Sequence, residues 1–377
     1  MSSDTQTDAD SRAQALVASY TRADYTRIAP AVLQPAEPFL DLSGEDIRRR
    51  MFLTTDPDGR ELCLRPDLTI PVSRDYLASP QAGKPAGFCY LGAVFRHRHG
   101  ATSEFLQAGI ESFGRSDKAA ADAEMLALGL EATTQYDISA PEIRIGDVGL
   151  FSAFVAALDL APVWKRRLIK DFNRKSSLKH DLEQMTLAPA NGSKKYQGVL
   201  AALAGSDPKA AHHLVTDLLS IAGIATVGGR SVAEIADRFL EQSALNAPTR
   251  LPRETRALIE RFLSIAGDPD DAAGELRALA ADAKIALGPA LDLLEMRTGF
   301  LAARGVDVRA IKLATDFGRG FDYYTGFVFE LQDVHGQRPL VAGGRYDGLL
   351  TRLGAKEPIP AVGFAASIDD LAGGGAS

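Results

Sequence analysis

Arg319-Gly-Phe-Asp-Tyr-Tyr-Thr-Gly-Phe-Val-Phe-Glu330 is the densest polar signature in the chain. It sets a guanidinium, a carboxylate and two phenols beside glycines that let backbone approach a ligand. An arginine can clamp a carboxylate through two hydrogen bonds, and a tyrosine hydroxyl can orient a polar ring. The same residues taken alone also read as an ordinary turn leading into a strand over Phe327 to Leu331. A dinucleotide fingerprint is excluded, because Gly318-Arg-Gly320 lacks the third glycine and the strand-turn-helix setting.

Three further stretches supply complementary groups: Leu64-Arg-Pro-Asp-Leu-Thr-Ile-Pro71, Phe95-Arg-His-Arg-His-Gly100 followed by Glu104-Phe-Leu-Gln-Ala-Gly-Ile-Glu111, and Ala342-Gly-Gly-Arg-Tyr-Asp347. With the Arg319 segment, and in this order, they resemble the catalytic domain of histidyl-tRNA synthetase over both outer parts of the chain. The resemblance implies an α+β fold of the class II aminoacyl-tRNA synthetase type, an antiparallel sheet flanked by helices, usually dimeric. It also implies a histidine site. Asp67 and Thr69 match the partners of the α-amino group, with aspartate where the synthetases commonly carry glutamate. Arg96 and Gln107 match positions facing the ligand's carboxylate and amino end, Glu111 the carboxylate that meets the imidazole, and Arg319 a second positive group. Tyr323 and Tyr324 line the ring side. Such a pocket would reject apolar rings by leaving its own polar groups unpaired.

The outer parts alternate short apolar runs with turn residues, as strands do, at Leu62 to Arg65, Gly87 to Gly92, Glu104 to Gln107, Ala310 to Ala314, Leu340 to Ala342 and Val362 to Ala366. Ala119 to Gln135 has helical spacing, with Ser116-Asp117 placed to cap it. The middle is rich in alanine and leucine, with helical patterns at Pro208 to Ala222, Ser231 to Ser243 and Pro252 to Ala266, and a capping-box form at Ser231-Val-Ala-Glu234. These patterns predict a discontinuous domain over 11–150 and 306–372, a mainly helical insertion over 151–305, and flexible tails at 1–10 and 373–377.

The 377 residues are 46% hydrophobic and 24% charged, an ordinary globular balance. Forty-nine acidic against 42 basic residues give a net charge of −7, which disfavours a general attraction to nucleic acid. No apolar run reaches the roughly 20 residues of a membrane helix, and Met1 to Asp10 lacks the form of a secretory signal. Cys63 and Cys89 are too few for a disulfide framework, as expected in a reducing cytoplasm. Both read as buried small hydrophobes. The histidines suggest no metal site, since His97 and His99, or His212 and His213, find no completing ligands.

Three departures from the synthetases bear on activity. In Pro360-Ala-Val-Gly-Phe-Ala-Ala-Ser-Ile-Asp-Asp-Leu371 the position matching a phosphate-binding arginine is Asp370, beside Asp369. Arg98 stands where the second motif usually has glutamate, and the loop before Glu104 looks shortened. The sequence ends soon after Leu371, so no C-terminal anticodon-binding domain is expected. Activating an amino acid requires positive charge on the pyrophosphate, and a carboxylate there would repel it. Together these departures resemble the regulatory subunits of ATP phosphoribosyltransferase. That resemblance implies no independent catalysis and no cofactor. It also implies a short catalytic subunit as partner, L-histidine as feedback effector, and a homodimer within a hetero-oligomer in the first step of histidine biosynthesis. The competing expectations are a truncated histidyl-tRNA synthetase, a free-standing histidine-adenylating enzyme, or a nucleic-acid-binding module on the same body.

Overall fold

The computed structural model describes residues 3–42, 47–98, 100, 102–184, 217, 226–227, 230–231, 251–333 and 339–374. The first part of the chain contributes α1 (Ser3–Arg22), β1 (Thr26–Arg27), β2 (Leu33–Pro35), α2 (Glu37–Leu42), β3 (Phe52–Thr55) and β4 (Glu61–Leu64). There follow α3 (Thr69–Ala78), β5 (Ala86–Phe95), β6 (Glu104–Phe113), α4 (Lys118–Thr134), β7 (Glu142–Asp147) and α5 (Val148–Ala157). The middle holds α6 (Pro162–Asp171), α7 (Lys175–Gln184), β8 (Thr226–Val227), β9 (Arg230–Ser231) and α8 (Arg253–Leu263). The remainder is β10 (Ala266–Gly267), α9 (Pro269–Ala283), α10 (Gly288–Ala303), β11 (Ile311–Ala314), β12 (Phe327–Gln332), β13 (Pro339–Arg345), α11 (Leu349–Arg352), β14 (Ala361–Ser367) and α12 (Ile368–Gly374).

Nine strands form one mixed sheet in the order β1-β5-β6-β14-β13-β12-β7-β11-β10. Its long central pairs are antiparallel, and only β1 with β5 and β11 with β7 run parallel. Strands β2, β4 and β3 make a separate small sheet, and β8 with β9 a two-stranded pair. One face of the large sheet is covered by helices. Ala13, Leu16, Val17 and Tyr20 of α1 are buried at helical spacing, and the Tyr20 ring meets Phe364 of β14 edge-on at 5.9 Å. Helix α4 comes close enough that a Cβ on its Gly129 would touch Val341, Phe329 and Leu331 of β13 and β12. The opposite face carries the site.

The chain divides into two units, residues 1–157 with 260–377, and residues 158–259. The divisions fall inside the 151–305 stretch expected as an insertion. The reason lies in two side chains that tie the later residues to the sheet. Arg297 of α10 is buried and donates to Asp122 of α4 at 3.0 Å and to Asp147 of β7 at 2.9 Å. Thr315 Oγ1 donates to the Phe262 carbonyl and, at 3.0 Å, to that of Ile265, where β10 pairs with β11. At the ends, α1 begins at Ser3 within the stretch expected as a tail, and α12 runs to Gly374. The apolar stripe of α1 gives the helix its anchor.

Asp117 occupies the N-cap of α4 but makes no side-chain cap bond. Arg115 engages its carboxylate instead, at 3.0 and 2.5 Å. The expected helix over Pro252 to Ala266 is α8, stopped short by the turn into β10. The expected helices at Pro208 to Ala222 and Ser231 to Ser243, the capping box at Ser231 and the pair His212 and His213 lie outside the described residues, apart from Asp217 in helical conformation and Ser231 in β9. His99 also lies outside them. His97 stacks on Phe52, with ring centroids 3.9 Å apart. Among the described residues no cluster of His, Cys, Asp or Glu could hold a metal, and no helix is long and apolar enough to cross a membrane. Both cysteines are buried, and burial pushes the Cys63 thiol up to about 12.

Candidate functional site

Glu111 of β6 lies opposite Gly363 of β14 at the middle of the sheet. A Cβ at position 363 would overlap Glu111 Oε2 and crowd the Ile110 carbonyl oxygen. Glycine is therefore what makes room for the carboxyl. One strand over, Tyr90 lies opposite Gly109, and its hydroxyl reaches Glu111 Oε1 at 3.2 Å. Thr69 Oγ1 donates to the same oxygen at 2.7 Å, and the Tyr346 hydroxyl to Oε2. Burial pushes the Glu111 carboxyl up to about 8, against the downward pull of those three hydroxyls, and nearby Asp67 adds to the rise.

Over this floor lies a cavity of 410 Å³, walled by β6, β13 and β14 below and by Thr69 of α3, Asp370 of α12 and loop residues around it, a volume suited to a small ligand. Seven of the eight residues singled out in the sequence line it: Asp67, Thr69, Arg96, Gln107, Arg319, Tyr323 and Tyr324. The eighth, Glu111, is fully buried beneath them, and lies against the lining residues Thr69, Tyr346 and Gly363.

Asp67 precedes α3, and its Oδ1 accepts from Ile70 N at 3.1 Å, capping the first turn. Its Oδ2 is buried without a partner, as is Gln107 Oε1. Burial pushes the Asp67 carboxyl up to about 6, opposed by the Ile70 N–H and by Arg96. The Arg96 guanidinium is drawn down to about 10 by burial, with Asp67 opposing. Two unpaired acceptors, one of them anionic, form a seat for a cationic donor. A buried acceptor left unpaired costs about 1–3 kcal/mol.

Arg319, expected as a second positive group, lines the cavity beside Tyr324. Its Nη1 donates to Glu330 Oε1 at 3.0 Å, so its charge is already matched, while its buried Nε has no partner. The ring side is aromatic, with Tyr323 and Tyr324 centroids 4.9 Å apart and Phe321 stacked on Tyr323 at 5.0 Å. Sequence reasoning missed Tyr90 and Tyr346, whose role depends on strand register, and Phe105, over whose ring Arg96 and Arg98 lie at 4.8 and 4.5 Å. Arg98 and Asp370 also line the cavity, 3.7 Å apart, and Asp370 accepts from Ser367 Oγ at 2.5 Å. The two positions of unexpected charge therefore face each other.

The sequence matches the histidyl-tRNA synthetase family over residues 4–230 and 210–371. It is 41% identical over 369 residues to an ATP phosphoribosyltransferase regulatory subunit of Mesorhizobium japonicum, covering 96% of this chain and 97% of that one. A protein of the same name from Brucella canis is 41% identical over 348 residues, 90% of each chain. Among solved structures, an ATP phosphoribosyltransferase regulatory subunit/histidyl-tRNA synthetase from Bacillus halodurans C superposes with a TM-score of 0.69 at 22% identity, covering 99% of this chain and 80% of that one. A histidine–tRNA ligase subunit from Alicyclobacillus acidocaldarius gives 0.59 at 21%, covering 99% and 94%. These likenesses bear out the class II synthetase-like fold read from the Arg319 string. The chain belongs to the histidyl-tRNA synthetase family and, within it, to the ATP phosphoribosyltransferase regulatory subunits.

Proposed function

We propose that this chain binds L-histidine in the cavity over Glu111 and has no catalysis of its own. It serves a short-form ATP phosphoribosyltransferase catalytic subunit in the cytoplasm, as a homodimer within a hetero-oligomer. It is required for the partner's activity in the first step of histidine biosynthesis and takes part in feedback inhibition by histidine. The observation that carries the ligand assignment is the pair of buried, unpartnered acceptors, Asp67 Oδ2 and Gln107 Oε1, on the wall of a 410 Å³ cavity. An α-ammonium group satisfies both, Arg96 stands ready for the α-carboxylate, and the tyrosines offer a wall for a ring. The regulatory-subunit name of relatives 41% identical over nearly the whole chain supports the partner. An end-product can act on such an assembly only if it binds one state better than another.

Mixing the chain with a short-form catalytic subunit is expected to give a hetero-oligomer in size-exclusion chromatography, with phosphoribosyltransferase activity well above that of the catalytic subunit alone. Histidine should reduce that activity. Separate elution of the two chains with unchanged activity would refute the proposed role.

A further inference from the structure

Three arginines of the cavity wall each have a carboxylate set against them. Glu330 accepts from Arg319, Asp370 stands 3.7 Å from Arg98, and the charge of Asp67 counters the effect of burial on the Arg96 guanidinium. Arg50 adds a fourth guanidinium to the wall. Without the carboxylates, this would be a strongly cationic hollow suited to polyanions. We infer that Asp370 is an internal anion seated on Arg98, and that it makes the cavity selective for a zwitterion of amino-acid size over a phosphorylated ligand. The inference rests on reading the cavity as an amino-acid site.

The pair is built rather than casual. The Arg98 guanidinium lies over the Phe105 ring at 4.5 Å, which holds it in place. Asp370 is fixed from its other side by the Ser367 hydroxyl. The two side chains are only 20% and 18% exposed, so their charges are screened less than those of a surface pair. A phosphate approaching Arg98 must displace the carboxylate or stand beside it, and like charges at that range repel strongly in a partly buried site. A zwitterion makes no such demand. Its ammonium goes to Asp67 and Gln107, and its carboxylate requires one guanidinium rather than several.

Inorganic pyrophosphate, titrated calorimetrically into the full chain, tests this. Asp370→Asn should bind it at least about tenfold tighter than the wild type, and the double variant Asp370→Asn, Arg98→Gln should lose that gain. Asp370→Ser provides a second route to the same comparison if the asparagine variant folds poorly, with folding checked by circular dichroism. Folded single variants that bind pyrophosphate no better than the wild type would overturn the inference, as would a double variant that binds as tightly as Asp370→Asn. A histidine titration of the wild type keeps the two ideas apart. Histidine binding without any pyrophosphate gain defeats the internal-anion inference alone, whereas a pyrophosphate gain without histidine binding defeats the amino-acid reading and, with it, the selectivity for a zwitterion, leaving only the exclusion of anions by Asp370.

Discussion

Arg297→Met is expected to lower the stability of the chain by about 3–5 kcal/mol, read as a shift in the urea midpoint. Arg297 is 1% exposed and is shared between Asp122 and Asp147, with its Cζ 4.5 Å above the Phe327 ring. Methionine keeps much of the volume but withdraws the charge. Asp122 would then depend on Arg345 alone, which donates from Nε at 2.8 Å and is itself shared with Asp347. Among the described residues, Asp147 would retain only the Leu150 N–H at the start of α5. Breaking a buried ion pair from one side leaves an uncompensated charge, which costs far more than loss of a surface pair. Arg297→Lys should fall in between, because an ammonium cannot span both carboxylates with a planar fork. A methionine variant within about 1 kcal/mol of the wild type would show that this cluster does not join α10 to the sheet energetically.

Glu111→Gln is expected to abolish most of the loss of stability that the wild type shows as pH rises from 5 to 9. Burial pushes the folded carboxyl up to about 8, from its ordinary value of 4.5. Between those values the folded chain holds a proton that the unfolded chain has released. The group's contribution is therefore complete below about pH 4.5 and declines as pH rises through 8. The full change between 4.5 and about 8 is on the order of 5 kcal/mol. Glutamine cannot ionise and can still bond to the hydroxyls of Thr69, Tyr90 and Tyr346, which rotate to suit. Urea midpoints taken across this range should fall steeply for the wild type and remain much flatter for the variant. Parallel curves would mean that Glu111 is not the titrating group.

Much of this architecture could be read from short strings. Arg319 to Glu330 carries residue types that few turns need together, and the alternation at Glu104 to Gln107 or Val362 to Ala366 reports strands directly. Seven of the site residues reached the cavity because each belongs to such a string. Register was not legible in the same way. Glu111 opposes Gly363, and Tyr90 opposes Gly109, through hydrogen bonds between strands that no local pattern encodes. Glu111 therefore reads as a ligand contact in the sequence, yet the sheet places it under the floor. Arg98 and Asp370 each read as an isolated departure, because the helix and hairpin that bring them together are far apart in the chain. Asp117 reads as a helix cap, but nothing local reveals that Arg115 takes its carboxylate. The helical middle has no sheet-forming signal, so its expected limit at 305 missed the return of the chain at 260, which depends on Arg297 and Thr315.

On the proposed reading, Asp67 and Gln107 hold the amino group of histidine. Calorimetric titration of L-histidine into the purified chain tests it most directly. Saturable binding at one site per chain is expected, weakened at least about tenfold by Asp67→Asn, which removes the charge from a charge-assisted bond while leaving Oδ1 to cap α3. Absence of binding to the wild type, or equal affinity in the variant, would contradict the claim.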